Sequence, residues 1–333
     1  MIGLDVGGAN TKAAAVGGDG RVRIVSEPFE VWRSPDRLAR AIASVVGRLG
    51  LDDAPVALTT TAELVDVFES KRAGVLHVLQ AAQRALPGRA LRVITTSGEL
   101  IELDRARADP LACAASNWVA TALLVARSLP DAILVDCGGT TTDVVPIAAG
   151  RLAARGRTDV ERLLTGELVY TGALRTNIAA IVSEVPIGGR PCPVSAELFA
   201  IAADAHLLRG SLTPERCTCS FPDGRGTDPE HVRARLARVV CADPEQLEPD
   251  DLDAVAAAVH DAQLAAIARA LARVAARSAA AEAGPVVAVG VGAFLAREAA
   301  ARCGLELLDG VAPLAGAGGE VAACVALSVL GRD

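Results

Sequence analysis

Residues Ile133–Ile147, ILVDCGGTTTDVVPI, decide the fold. An apolar run, Ile133 to Val135, brings Asp136 to the mouth of a Gly138-Gly139 turn. Thr140, Thr141 and Thr142 then lead to Asp143 and a second apolar run, Val144 to Ile147. Two short β-rich runs around Gly-Gly predict a hairpin. Glycine lets backbone approach a ligand closely, and turn amides together with threonine hydroxyls can surround phosphate oxygens. Asp136 and Asp143 are placed to hold Mg²⁺ against that phosphate, directly or through water. Both are candidate catalytic and metal-holding residues.

The N-terminus carries the same device. Met1–Val16, MIGLDVGGANTKAAAV, has a short apolar strand, Asp5, a Gly7-Gly8 turn, the polar cluster Asn10, Thr11 and Lys12, and a returning strand. One Asp-x-Gly-Gly is weak, because such hairpins are common without a ligand. Two copies about 130 residues apart favour a paired phosphate site over two structural hairpins. Gly7, Gly8, Asn10, Thr11 and Lys12 join Gly138, Gly139 and Thr140 to Thr142 as phosphate-binding candidates, and Asp5 joins the metal candidates.

The chain has 333 residues, enough for about two domains. Hydrophobic residues make up 51% but aromatics only 2%, so the cores must be built from Ala, Val and Leu. A net charge of −7 with acids and bases well mixed, and no aromatic–basic interleaving, argues against a nucleic-acid partner. Uncharged apolar runs such as Trp118–Ala126 fall short of the ~20 residues that span a bilayer. With a strand predicted from the first residues, a cytoplasmic protein without a membrane partner is expected. Eight cysteines at irregular spacing are expected as reduced thiols. Cys217-Thr-Cys219 with Cys192, Cys241, His206 and His231 matches no usual zinc spacing.

Further candidates lie along the chain. Ser34-Pro35 predicts a helix start, and Val56–Thr61 a buried strand. Glu63 and Asp66 follow that strand's end, where open α/β sheets place ligand residues; the alternative is an acid pair complementing a helix dipole. Lys71 is a candidate cation for a diphosphate. Asp109-Pro110 predicts a helix carrying Ser116, Asn117 and Trp118, with Asn117 a candidate ligand contact. Thr165–Thr176, TGELVYTGALRT, is Gly-broken and polar and contains the chain's single tyrosine. Thr165, Glu167, Tyr170, Thr171 and Arg175 are substrate-contact candidates there, against a plain strand–turn–strand connection. Val194–Leu208 predicts a helix capped by Ser195, and Asp251 to about Glu282 the longest helix. Val286–Val291 predicts a strand opening onto a second kind of glycine turn, in which Gly290 and Gly292 are candidate ligand contacts. Gly316–Gly319 leads into a C-terminal helix ending at Leu330.

Hairpins, a crossover helix and a repetition of both resemble the two-lobed actin-like ATPase fold of sugar kinases, actin and heat-shock chaperones, an α/β fold with two RNase H-like lobes. The resemblance implies a discontinuous first lobe, 1–128 plus 316–333, and a second lobe, 129–315, with a helical insertion near 185–283. The motifs Gly3–Lys12, Thr61–Phe68, Ser116–Ala122, Thr140–Ile147, Thr165–Thr176 and Arg190–Phe199 are similar to the hydantoinase/oxoprolinase-related family tied to tetrahydromethanopterin-linked one-carbon transfer. That resemblance implies a transferase of methanofuran biosynthesis, in which an aminomethylfuran-methyl diphosphate alkylates the phenol of γ-glutamyltyramine, or a tyrosine-derived analogue, and releases diphosphate. It implies Mg²⁺ held by Asp5, Asp136 or Asp143, with Glu63 or Asp66 accepting the phenol proton. The partners are then small molecules, and the sequence is compatible with a homo-oligomer. An ATP-dependent kinase or amidohydrolase, in which Gly290–Phe294 holds adenosine, is the first rival. A nucleotide-dependent scaffold without catalysis is the second.

Overall fold

In the computed structural model, which describes residues 1–278, 284–314 and 321–332, the two Gly-Gly turns close matching hairpins. β1 (Ile2–Val6) pairs antiparallel with β2 (Asn10–Val16), and β2 with β3 (Val22–Pro28). β1 also pairs in parallel with β4 (Val56–Thr60), which pairs in parallel with β5 (Leu91–Ile94); β6 (Leu100–Glu102) closes this sheet on the far edge. The second sheet repeats the plan. β7 (Ala132–Cys137) pairs antiparallel with β8 (Thr142–Ala148), which carries β9 (Arg151–Leu152) and β10 (Leu168–Val169). A separate two-stranded ribbon, β11 (Glu184–Ile187) and β12 (Arg190–Pro193), stands outside both sheets. β13 (Val286–Val289) and β14 (Leu307–Leu308) then continue in parallel from β7.

The helices follow from apolar spacing and from what stops them. α1 (Leu38–Gly47) buries Leu38, Ile42 and Val45 on one face, and α2 (Lys71–Ala85) starts where the Ser70 hydroxyl accepts from the Ala73 amide. Both pack on the outer face of the first sheet. After α3 (Leu103–Ala108), α4 (Asn117–Ser128) lies between the two sheets. α5 (Asp159–Thr165) has a full capping box, Thr158 with Glu161, and ends on left-handed Gly166. α6 (Ala202–Leu208), α7 (Pro229–Arg238) and the first half of α8 (Pro249–Ala275) form a small helical unit with its own apolar cluster. The second half of α8 and α9 (Ala293–Arg302) cover the outer face of the second sheet. α8 has the length and hydropathy of a membrane span, but Ile267, Leu271 and Val274 are buried against that sheet.

α10 (Ala322–Leu330) returns to the first lobe and shares the central core with α4. Its approach to β1 is close. A Cβ on Gly3 would lie 1.8 Å from the Cys324 carbonyl oxygen, so that position has to be glycine. The Ser328 hydroxyl donates to the Met1 carbonyl and accepts from the Val16 amide, both at 3.0 Å. The predicted Gly316–Gly319 turn lies outside the described residues, and the helix predicted to about Glu282 stops earlier, at Ala275.

Three local expectations are corrected. Asp109-Pro110 opens only a 3₁₀ turn to Cys113; Ala114 is extended, Ala115 has φ +49°, and the helix starts afresh at Asn117. Val194–Leu208 is helical only from Ala202, where Asp204 accepts from the Ile201 amide, and Ser195 caps nothing. Ser34 likewise makes no side-chain cap, because Pro35–Arg37 is a 3₁₀ turn and α1 begins only after it.

Candidate functional site

Pairing register places the two hairpins in equivalent positions. Asp5 faces Lys12 across the first and Asp136 faces Asp143 across the second. The Gly7 amide donates to the Asn10 carbonyl and the Gly138 amide to the Thr141 carbonyl, each at 2.9 Å. The two turns meet at one open cleft of about 740 Å³ between the lobes. Gly7, Gly8, Asn10 and Lys12 line it from one side, and Gly138, Gly139, Thr140 and Thr141 from the other. Asp5, Asp136 and Asp143 lie at its floor.

The floor is electrostatically loaded. Burial pushes the Asp136 carboxyl up to about 7, with the neighbouring Asp143 and Asp5 charges adding to the rise and Lys12 opposing it. Burial also raises Asp5, against Lys12, and its Oδ1 has no hydrogen-bond partner. A carboxylate oxygen buried without a partner fits a cation that is itself bound to phosphate. Asp143 is raised by burial too, but it is committed: its Oδ1 accepts from Arg162 Nη1 at 2.8 Å.

Arg162 is the functional residue that the sequence did not disclose. It is fully buried, donates also to the Glu167 carbonyl, and stacks 4.0 Å over the Trp118 ring. The signal available was a lone arginine in a short helix, which surface placement explains equally well.

Glu63 lines the cleft near the start of the irregular stretch after β4, not on a helix. It is 2% exposed, and burial pushes its carboxyl up to about 7 against the opposing pull of backbone donors and Lys71. Asp66 also lines the cleft and is exposed. Asn117 reaches the wall because α4 begins with it. Tyr170, Arg175 and Gly290 are on the wall as well, and Arg175 stacks 4.7 Å over Trp32 of the first lobe.

Several predicted contacts lie off that wall. The Lys71 ammonium pairs at 2.6 Å with Asp159, which does line the cleft, so Lys71 bridges the lobes. Glu167 is fully buried and structural: it accepts from the Arg155 and Gly156 amides at 2.8 Å and pairs with Arg277. Thr165 donates to the Arg162 carbonyl, closing α5. Thr171 accepts from Gln263, and its carbonyl accepts from Thr142, which is buried behind the second turn. Thr11 is likewise fully buried behind the first turn. Gly292 is a packing residue, since a Cβ there would lie 2.4 Å from Cys137 Sγ.

The segment after Tyr170 has a different task from the one expected of it. The amides of Ala173, Leu174 and Arg175 donate to the carbonyls of Gly138 and Gly139 at 2.8–3.0 Å. A Cβ on Gly172 would lie 2.5 Å from the Thr140 nitrogen. TGALRT therefore braces the second turn from behind and brings Leu174 and Arg175 to the cleft with it. Among the described residues no group of three or more His, Cys, Asp or Glu forms a metal cluster, the cysteine region included.

The hydantoinase/oxoprolinase family model matches residues 55–330. The chain belongs to the hydantoinase/oxoprolinase family. Within it, the chain is 37% identical over 253 residues, 76% of its length, to a protein of Methanocaldococcus jannaschii, covering 74% of that relative. A Methanococcus vannielii protein is 39% identical over 119 residues, 36% of this chain and 53% of the relative. Both relatives are synthases named for their product, a furan methanamine joined through a phenoxymethyl ether to a γ-glutamylaminoethyl chain. Among solved structures, the ethanolamine utilization protein EutJ of Carboxydothermus hydrogenoformans matches 98% of this chain and 88% of its own (TM-score 0.50, 14% identity). Nucleotide-free acetone carboxylase matches 90% of this chain and 46% of its own (TM-score 0.51, 14% identity). At that identity the likeness establishes the fold alone, the two-lobed actin-like ATPase fold of this hydantoinase/oxoprolinase-family member.

Proposed function

We propose that this hydantoinase/oxoprolinase-family protein is the ether-forming transferase of methanofuran biosynthesis. It joins an aminomethylfuran-methyl diphosphate to the phenol of γ-glutamyltyramine, or a tyrosine-derived analogue, and releases diphosphate. The observation that carries this reading is the 37% identity, over three quarters of both chains, to a synthase of that ether. The cleft supports it chemically. The furan-methyl C–O bond breaks with its electron pair leaving on diphosphate, which the amides around Gly7-Gly8 and Gly138-Gly139, with Thr140, Thr141 and Lys12, are suited to receive.

The donor set fits Mg²⁺. Asp5, with its unpartnered buried oxygen, and Asp136 would hold it, while Asp143 stays with Arg162. Such an ion, when bound, neutralises charge on the departing diphosphate. Glu63, buried and pushed up to about 7, takes the phenol proton as the phenol oxygen bonds to the furan-methyl carbon. Asp66, exposed at the cleft wall, offers negative charge to the substrate's aminomethyl group.

Purified protein incubated with both substrates and Mg²⁺ should form one ether per diphosphate released, read by mass spectrometry and diphosphate assay. Glu63→Gln should slow turnover by about 10²–10⁴-fold, the range for a lost general base. Diphosphate release without ether, or turnover that requires ATP, would sink the proposal.

A further inference from the structure

A second compartment adjoins the cleft. Residues Cys217–Ser220 run as a strap across to the first lobe, where Thr218 Oγ1 accepts from Asn10 Nδ2 at 3.4 Å and Ser220 Oγ donates to Glu30 Oε1 at 2.5 Å. Behind the strap is a side chamber of about 730 Å³. Ala9, Glu30, Arg33 and the strap residues Thr218, Cys219 and Ser220 line both spaces, so the two are continuous.

The chamber's chemistry differs from the cleft's. Arg33, Arg37 and Arg40 line it, together with Glu27 and Glu30. Both carboxylates are engaged, Glu30 with Arg33 at 2.6 Å and Glu27 with the Ser44 hydroxyl at 2.9 Å. Arg37 and Arg40 are exposed and line the same chamber as the acids. Guanidinium groups beside carboxylates are matched to a zwitterionic amino-acid head, the α-carboxylate to the arginines and the α-ammonium to the glutamates. At the junction, Asn10 Oδ1 is buried without a partner, an acceptor suited to an amide N–H passing the strap.

We propose that the side chamber is the subsite for the glutamyl head of the acceptor, which makes the protein select a γ-glutamyl amide over a bare phenolic amine. The acceptor threads past the strap with its phenol in the cleft, its amide at Asn10 and its α-amino-acid end between Arg37, Arg40 and Glu27. This placement rests on the ether-synthase reading, because that reading supplies the acceptor.

The test compares γ-glutamyltyramine with tyramine, using the protein and its double variant Arg37→Ala/Arg40→Ala. Calorimetric binding of each amine is measured alongside steady-state ether formation. Loss of charge-assisted hydrogen bonds to the carboxylate should weaken γ-glutamyltyramine about ten- to a hundredfold, in Kd and KM alike. Tyramine binding and the KM for the furan-methyl diphosphate should be unchanged. Equal weakening of both amines, no change in either, or a rise confined to the diphosphate substrate would overturn the subsite. If no ether forms with either amine, the ether-synthase reading falls, and the calorimetric preference still decides the chamber.

Discussion

At the scale of single residues, the site is defined by buried charge that the protein alone does not balance. Asp5 and Asp136 share one floor, and Lys12, across the first hairpin from Asp5, opposes the rise of both carboxyls. Asp143 differs because Arg162 satisfies it, and the guanidinium in turn stacks over the Trp118 ring. Three aspartates that look alike in sequence therefore have two separate roles, and only three-dimensional partners distinguish them. The two groups held near 7, Asp136 and Glu63, have a consequence for stability. A carboxyl raised above its unfolded value favours the folded state fully below that unfolded value, and the benefit disappears as pH climbs through the folded value. The melting temperature of unliganded protein should thus carry a component that falls between about pH 4 and pH 7. Asp136→Asn should flatten that component, and an unchanged slope in the variant would show that Asp136 is not held protonated.

At the scale of elements, the two hairpins were legible because their chemistry is local. Gly-Gly turns, flanking apolar runs and the acid one residue before each strand's end need no tertiary information. The brace behind the second turn was not legible, although its residues were singled out. Gly172 and Arg175 stand in a polar, Gly-broken stretch, yet what they contact, the backbone of Gly138 to Thr140, lies some thirty residues away. Polarity alone cannot separate a residue that touches substrate from one that holds the loop that does. Glu167 shows the same limit, since its carboxylate is spent on the Arg155 and Gly156 amides. Likewise, Asp109-Pro110 carried a genuine start signal, but the chain turned once and restarted at Asn117, which is how Asn117 reaches the cleft. The brace yields a prediction of its own. Gly172→Ala pushes a methyl into the Thr140 backbone and should cost about 1–3 kcal/mol of stability by overpacking. Because the displaced atoms belong to the turn, diphosphate affinity should fall further than for Gly188→Ala, whose added Cβ meets open space. Equal affinities in the two variants would contradict a bracing role.

At the scale of the whole molecule, repetition made the architecture readable: two hairpins, each followed by parallel strands, imply two sheets and a cleft between them. The closure of that cleft was less readable, because it depends on pairs far apart in sequence. Lys71 with Asp159, Arg175 with Trp32, and the strap on Asn10 and Glu30 join the lobes around the site. Such contacts bring Asp5 from one lobe and Asp136 from the other to a shared floor, so neither lobe holds a complete site. The most direct test of that claim is calorimetric titration of the purified protein with Mg²⁺ plus diphosphate, and in parallel with Mg²⁺ plus ATP. The account predicts diphosphate binding that Asp5→Asn and Asp136→Asn each weaken by about tenfold or more, with no comparable binding of ATP. Tight ATP binding with slow hydrolysis, or diphosphate binding indifferent to both substitutions, would contradict it.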